Sequence, residues 1–399
     1  MGTLFDAERH EPLVKRAWDA GEAQLAIDRI VADTHSEFAA QRYWPSHPDD
    51  GPDSSRFSTL LYLGAAGVIW GLNHLARENA TDNGPNYAQH LPEILTRNRA
   101  ALVEAGFQTR SYLMGDAGIL YTTWKITRSS TLLAELADVI GRNSKDPTLE
   151  LMWGTAGTML VALALYEETG ETRWAELFRQ GAEYLDDTFV FESEHRCHLW
   201  TQNLYGNSVK LVGAVHGFAG NAFALTRGGK LLDPARRARL WLWIAETLRA
   251  TASTAENGTN WPQSVGPPRL GRTQLLVQHC HGAPGMVTSL AGLSEPIDDL
   301  LVAAGHLTWT AGPVRKGSNL CHGTAGNGFA FLKLFERSGD EMWLDRARAF
   351  AMHAIEQSEA RKAEVGRGRY SLWTGDIGLA CYLWECIRAT ARFPTLDIL

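Results

Sequence analysis

The most constraining feature of this sequence is a Gly-x-x-Gly tetrapeptide that occurs seven times, each time followed by an apolar segment. The seven copies begin at Gly64, Gly115, Gly154, Gly217, Gly282, Gly323 and Gly375. Their mean spacing of about 52 residues leaves room for two helices and their connections. One such tetrapeptide is weak support for a repeat, but seven in matching context predict a repeat architecture.

The segments around these tetrapeptides have the patterns of helices. Gly157 leads into the almost wholly apolar run 158–165, which is typical of a helix buried on all sides. Segments between the tetrapeptides are amphipathic; one apolar face comprises Trp343, Ala347, Phe350, Ala351 and Ala354. No sustained alternation of period two indicates a sheet. We therefore predict an all-α protein, a double-layered α/α toroid of seven inner and seven outer helices.

The chain contains no low-complexity linker, so we expect residues 1–399 to form a single domain. Residues 1–56 are interpreted as a leading helix, from Trp18 to Ala39, and a polar connection that contains prolines. The repeated glycines are expected where the chain turns into each inner helix. Glycine there permits a positive φ or the close approach of a neighbouring backbone.

Composition excludes several classes of function. Lys and Arg number 38 against 45 Asp and Glu, a net charge of −7, which argues against a nucleic-acid partner. The longest apolar stretches, such as 160–166, are far shorter than the ~20 residues of a membrane span. The N-terminus has no apolar signal segment, and five cysteines are too few and odd in number for a disulfide framework. We expect a cytoplasmic protein with no membrane partner.

The seven tetrapeptides differ in the residue that precedes them. Apolar residues precede the first three, whereas His216, His281 and His322 precede the next three. His281 and His322 are themselves preceded by Cys280 and Cys321. In a closed ring, equivalent positions of successive repeats face one central cavity, so these side chains are expected to converge.

Cys280, Cys321 and His322 together offer two thiolates and an imidazole, a ligand set suited to zinc. Three protein ligands leave a fourth position open, as in catalytic zinc sites. A free cysteine is often only a small buried apolar residue, but two Cys-His-Gly-x-x-Gly strings in equivalent positions favour the metal. The other cysteines, Cys197, Cys381 and Cys386, lack this context and are interpreted as ordinary buried residues.

An open zinc position suggests two kinds of chemistry. Coordination lowers the pKa of a thiol, so a bound thiolate would serve as a nucleophile at neutral pH. His216, in the corresponding position of the fourth repeat, would exchange a proton with the reacting centre. Alternatively, zinc-bound water would attack an ester or amide.

Residues 277–285 and 320–327 resemble the zinc-binding signatures of lanthionine synthetase C-like (LanC-like) proteins, and residues 215–220 resemble their histidine motif. The resemblance covers residues 60–390 and implies that the three predicted ligands bind zinc, with a thiol substrate in the fourth position. The family's peptide cyclases add a cysteine thiol to dehydroalanine or dehydrobutyrine, which forms a thioether. His216 matches the catalytic acid/base, and Glu150 stands where the cyclases have an aspartate that would orient this histidine or a water.

Two details resemble the stand-alone family members that bind glutathione more than the lantibiotic cyclases. The string Cys-His-Gly-Ala-Pro-Gly places His281 where the cyclases have tyrosine, beside the thiol. Lys316 stands where the stand-alone proteins have a lysine that faces a glutathione carboxylate, and Arg367 and Arg369 are candidates for a second anion contact. Those proteins couple glutathione to dehydroamino acids. We expect no fused dehydratase before the repeats, so either a separate enzyme supplies the dehydroamino acid or the electrophile is a different compound.

The leading hypothesis is a zinc-dependent enzyme that adds a thiol, either glutathione or a peptide cysteine, to a dehydroamino acid in a peptide or protein. A second hypothesis is a non-catalytic zinc- and glutathione-binding regulatory protein. A third is a carbohydrate-active enzyme, because α/α toroids also host glycosidases. That chemistry requires two facing carboxylates, for which Asp116, Glu150 and Asp376 are candidates.

Overall fold

A computed structural model describes residues 3–51, 55, 58–256, 258–266 and 275–399. The predicted end of the leading segment, residue 56, lies outside these ranges. The described helices are α1 (Ala20–Ser36), α2 (Ala65–Arg77), α3 (Leu91–Glu104), α4 (Asp116–Thr127), α5 (Leu132–Asn143), α6 (Thr155–Thr169), α7 (Thr172–Thr188), α8 (Phe218–Arg227), α9 (Pro234–Ala250), α10 (Ala283–Leu290), α11 (Asp298–Ala311), α12 (Thr324–Ser338), α13 (Glu341–Val365) and α14 (Asp376–Arg388). None of them is long and apolar enough to span a membrane.

The even-numbered helices form an inner ring, and each of them begins within one of the seven tetrapeptides. Neighbours in this ring are in contact, and α14 contacts α2, which closes the ring. The odd-numbered helices lie outside it, with α1 packed against α13 and α14. The leading helix predicted from Trp18 to Ala39 is therefore α1, slightly shorter, in the seventh outer place. The predicted α/α toroid is confirmed.

Burial follows from the sequence pattern of the two layers. In α6, every side chain from Thr155 to Leu165 is buried, because this inner helix has protein on all sides. In α13, burial is confined to one face, which includes Trp343, Phe350 and Ile355. The core thus lies within the inner ring and between the two rings.

The glycines serve both of the predicted purposes. A Cβ atom on the second glycine of every tetrapeptide would overlap the carbonyl oxygen of the residue six positions earlier; at Gly326 the distance to the Leu320 oxygen would be 1.8 Å. No other residue fits such a contact without displacing the backbone. A positive φ occurs at the first glycine of two tetrapeptides, Gly217 (136°) and Gly282 (107°).

Short β-strands interrupt the helical pattern, contrary to the expectation that the chain has no sheet. They are β1 (Val190–Glu192), β2 (Cys197–Leu199), β3 (Gln202–Leu204), β4 (Asn207–Leu211), β5 (Ser253–Ala255), β6 (Gly258–Asn260) and β7 (Ser264–Val265). They pair antiparallel as β1-β2, β3-β4-β7 and β5-β6. Strands of two to five residues are too short for a period-two pattern to be recognised. They lie in the connections that lead from α7 to α8 and from α9 to α10.

Candidate active site

The connections that enter the inner helices are joined to one another by backbone hydrogen bonds. The Cys280 amide donates to the Cys321 carbonyl at 2.9 Å, and the Cys321 amide donates to the Trp373 carbonyl at 2.9 Å. The Trp373 amide in turn donates to the carbonyl of Tyr62, in the first repeat, at 3.0 Å. Each of these four residues stands two positions before its tetrapeptide. The repeat therefore brings together two cysteines that are distant in the sequence.

The thiols of Cys280 and Cys321 are hydrogen-bonded to each other. This bond lowers the pKa of the Cys280 thiol, aided by Gln278, whose Nε2 donates to the Cys280 sulfur at 3.0 Å. The same bond and burial raise the pKa of the Cys321 thiol, although the Tyr62 hydroxyl also bonds to it. The two thiols therefore differ, with the lower pKa at Cys280.

Among the described residues, no three His, Cys, Asp or Glu side chains are grouped so as to hold a metal ion. Two of the three predicted ligands, Cys280 and Cys321, are together. The third, His322, is adjacent to Cys321 in the chain, and its amide donates to the Asn319 side-chain oxygen at 3.0 Å. The donor types fit zinc, since two thiols and an imidazole are typical zinc ligands. The structure brings two of these donors into contact.

The second feature of the site is a pair formed by His216 and Glu150. The His216 Nδ1 and the Glu150 Oε2 are 2.8 Å apart, and the Glu150 side chain is fully buried. Its carboxylate also accepts hydrogen bonds from the amides of Met152 (2.9 Å), Trp153 and Gly154 (3.3 Å), at the start of α6. With Nδ1 engaged, Nε2 is the ring nitrogen left for a reacting molecule.

The electrostatics of this pair favour a protonated histidine. Loss of hydration on burial lowers the pKa of His216, but the hydrogen bond and the charge of Glu150 outweigh it, so the pKa is raised overall. A further, smaller contribution comes from Cys280. The imidazolium form of His216 is therefore more populated near neutral pH than that of a free histidine.

The three basic residues predicted to contact an anion line one cleft, but they are not equivalent. Arg369 is paired with Asp50, a residue of the short 3-10 helix Pro48–Asp50, at 2.5 Å. The Nε of Arg367 is buried without a hydrogen-bond partner among the described residues. Lys316 is exposed, and its charge favours the thiolate form of both nearby cysteines, although less than their other interactions affect their pKa values. Within the described part of the chain, Lys316 and Arg367 thus form no ion pair, whereas Arg369 is neutralised by Asp50.

The residues immediately before the tetrapeptides follow one another around the mouth of the ring in repeat order. His281 lies next to His216, with ring centroids 6.4 Å apart. Tyr205 also makes an edge-on contact with His216 at 6.3 Å, and its hydroxyl accepts a hydrogen bond from Trp153 Nε1 at 2.9 Å. The site therefore extends from the cysteine pair, past two histidines, to a group of aromatic residues.

The sequence model of one family, described as lanthionine synthetase C-like protein, matches residues 56–398. The chain belongs to this family. Among its LanC-like relatives, Glutathione S-transferase LANCL1 of Danio rerio is 29% identical over 364 residues, which cover 84% of each chain. LanC-like protein GCL1 of Arabidopsis thaliana is 29% identical over 263 residues, 62% of this chain and 58% of that one. The resemblance predicted from the motif strings is confirmed.

Among solved structures, nisin cyclase resembles this LanC-like chain with a TM-score of 0.63 and 15% identity. The likeness covers 91% of this chain and 94% of the cyclase. At this identity it shows a common fold, in agreement with the toroid described above.

Each carboxylate considered above for a glycosidase reaction has its own hydrogen-bond partners in this LanC-like structure. Asp116 accepts a hydrogen bond from Arg99 Nε at 3.0 Å. Asp376 accepts from the Ser358 hydroxyl at 2.8 Å. Glu150 is bound to the histidine and to three amides. Each of them therefore has a local structural partner.

Several residues of the LanC-like site belong to none of the motifs recognised in the sequence. Tyr62 was identifiable in principle, since it occupies the position of the two cysteines in the first repeat. Gln278 precedes Cys280 by two residues, but its side-chain bond depends on a local turn. Asp50 and Tyr205 lie outside the repeats, so no spacing relates them to the site.

Proposed function

We propose that this LanC-like protein is a zinc-dependent enzyme that adds a thiol to a dehydroamino acid in a peptide or protein, forming a thioether. The supporting observation is the contact between Cys280 and Cys321, with the His216–Glu150 pair nearby. Cys280, Cys321 and His322 would hold the ion. When bound, zinc would supply a position at which a substrate thiol loses its proton at neutral pH.

The remaining chemistry belongs to the chain's own residues. The thiol sulfur forms a bond to the β-carbon of the dehydroamino acid, and the electrons of the double bond move to the α-carbon and its carbonyl. His216 Nε2 then delivers a proton to the α-carbon, and the proton lost by the thiol restores the imidazolium. One S–H is thus added across one C=C bond, with no other reactant. Glu150 is a positioning residue that keeps Nδ1 protonated.

Glutathione is the thiol that the basic cleft favours over a peptide cysteine. Lys316 and Arg367 would bind its carboxylates, because an exposed ammonium and a buried, unpartnered guanidinium nitrogen both attract anions. Arg369 would contribute if Asp50 released it, and His281 would line the wall beside the sulfur. The name of the Danio rerio relative, Glutathione S-transferase, agrees with this choice.

The test mixes purified protein, zinc, glutathione and a short dehydroalanine peptide, and follows the products by mass spectrometry. We expect an adduct whose mass is the sum of the two substrates, formed faster than without protein and lost in Cys321→Ala. Glutathione binding without an adduct would favour the regulatory alternative. Cleavage of an added ester by the zinc-loaded protein, without thioether formation, would favour hydrolysis.

A further inference from the structure

Three aromatic side chains form a cluster beside the His216–Glu150 pair, in which Trp153 is buried and Tyr205 is exposed. Phe107 and Trp153 are stacked with centroids 5.0 Å apart, and Tyr205 meets both rings edge-on at 6.2 and 6.5 Å. Tyr205 also meets the ring of His216. We call Phe107, Trp153 and Tyr205 the aromatic wall.

The aromatic wall lies on the opposite side of His216 from the cysteines. Trp153 immediately precedes the third tetrapeptide, His216 the fourth and His281 the fifth, and the connections follow one another around the ring in this order. A backbone hydrogen bond from the Leu151 amide to the Val215 carbonyl (3.2 Å) joins the third and fourth connections. The imidazole therefore stands between the thiol pair and the wall.

Tyr205 occupies a backbone position that tyrosine disfavours. It and Gly206 form the two-residue loop between β3 and β4, and both have positive φ, 51° and 74°. Such loops favour Asn-Gly, because a bulky residue with positive φ is strained. Tyr205 is nonetheless 56% exposed as a residue, while its hydroxyl accepts a hydrogen bond from the buried indole of Trp153. A strained, exposed aromatic ring held beside a reactive histidine suggests a role in binding.

We propose that the aromatic wall is the acceptor subsite, and that it binds an aromatic or large aliphatic side chain flanking the dehydroamino acid. This inference rests on the proposed function. An aromatic side chain would pack on the open face of Tyr205 and bring the neighbouring α-carbon toward His216 Nε2. The thiol would reach the β-carbon from the cysteine side.

The experiment compares two capped dehydroalanine peptides, one flanked on both sides by phenylalanine and one by glycine. Their kcat/KM values for glutathione addition are measured with wild type, Tyr205→Asn and Phe191→Ala. Asparagine suits the backbone of the loop, so Tyr205→Asn is expected to melt at or above the wild-type temperature. Phe191 is the matched control: it is 55% exposed on β1, but its ring contacts His198 rather than the site.

We expect wild type and Phe191→Ala to prefer the phenylalanine peptide by about tenfold, the scale of one aromatic contact. Tyr205→Asn should lose this preference, because its kcat/KM for the phenylalanine peptide should fall to about its value for the glycine peptide. The assignment of the aromatic wall as the acceptor subsite would be overturned by equal kcat/KM values for both peptides with wild type. An unchanged preference in Tyr205→Asn would overturn it as well.

A binding measurement separates this inference from the proposed function. The same peptides with alanine in place of dehydroalanine cannot react, and their dissociation constants are measured by calorimetry. Tighter binding of the phenylalanine version that depends on Tyr205, together with no adduct in the first experiment, supports the wall and contradicts the proposed chemistry. Equal dissociation constants contradict the wall whatever the chemistry.

Discussion

Replacement of Glu150 by glutamine removes one charge from the site and keeps the side-chain volume. The amide oxygen of glutamine can still accept from Trp153 and Gly154, but its NH2 group then replaces Oε2, which accepts from Met152 and is the charged partner of His216. A hydrogen bond to a charged group contributes about 1.5–3 kcal/mol. We expect Glu150→Gln to lower the free energy of unfolding by about that amount when His216 is protonated.

The pH dependence of this loss follows from the raised pKa of His216. A histidine whose pKa is higher in the folded than in the unfolded state contributes stability that is complete below the unfolded value, about 6.5, and is lost as the pH rises through the folded value. The difference between wild type and Glu150→Gln should therefore be largest at about pH 5.5 and shrink by about pH 8.5. Urea unfolding of both proteins at the two pH values measures it. The same difference at both pH values would refute the assignment of His216 and Glu150 as a charge pair.

The variant should also lose thiol addition. Without the carboxylate, burial leaves His216 less often protonated, and its tautomer is no longer fixed. General acid catalysis contributes about 10²–10⁴-fold, so we expect kcat for glutathione addition to fall by at least about 10²-fold, with zinc content unchanged.

Asp116→Asn is the matched control for this experiment. Asp116 is also a buried carboxylate at the start of an inner helix, but its partner is Arg99. We expect it to lose stability and keep the rate of addition. A comparable loss of rate in Asp116→Asn would mean that destabilisation alone explains the effect at Glu150.

Three further predictions address the ligands, the basic cleft and the repeat. Cys280→Ala and Cys321→Ala should each abolish stoichiometric zinc in dialysed protein, because only two predicted ligands remain; full zinc retention in both, by metal analysis, would contradict the ligand assignment. Asp50→Ala should tighten glutathione binding severalfold in calorimetry, because it frees Arg369 for a carboxylate; unchanged affinity would exclude Arg369 from the thiol site. Gly157→Ala should lower the free energy of unfolding by about 3 kcal/mol, because its Cβ would lie 2.2 Å from a carbonyl oxygen; a negligible loss in urea unfolding would show that the backbone relaxes.

The toroid could be predicted because the glycine tetrapeptide that shapes each repeat recurs along the sequence. Each inner helix needs a glycine where a carbonyl oxygen approaches, so the same tetrapeptide recurs and marks every entry point. Once the repeat was recognised, equivalent positions were expected to be neighbours, and the amide of Cys280 donates to the carbonyl of Cys321. The roles assigned to these side chains stay predictions.

Other contacts depend on segments that the repeat does not govern. The pairing of Arg369 with Asp50 depends on where the connection after α1 folds, and that connection has no counterpart elsewhere in the chain. The hairpin that carries Tyr205 has strands too short to leave a pattern. The placement of the His322 ring depends on side-chain torsion angles, which the spacing of the motifs does not determine.

The arrangement of the site follows from the order of the repeats rather than from the lengths of the connections. The spacing of the tetrapeptides varies from 39 residues, between Gly115 and Gly154, to 65, between Gly217 and Gly282. The contacts between neighbouring inner helices are nonetheless maintained around the ring, because a glycine places each entry and backbone hydrogen bonds join the connections. The β3-β4 hairpin adds a surface beside His216, whereas the repeat itself places the cysteines and His216. If the protein adds thiols as proposed, the repeat places the thiol and proton site, and the hairpin would determine which side chains of the acceptor fit beside it.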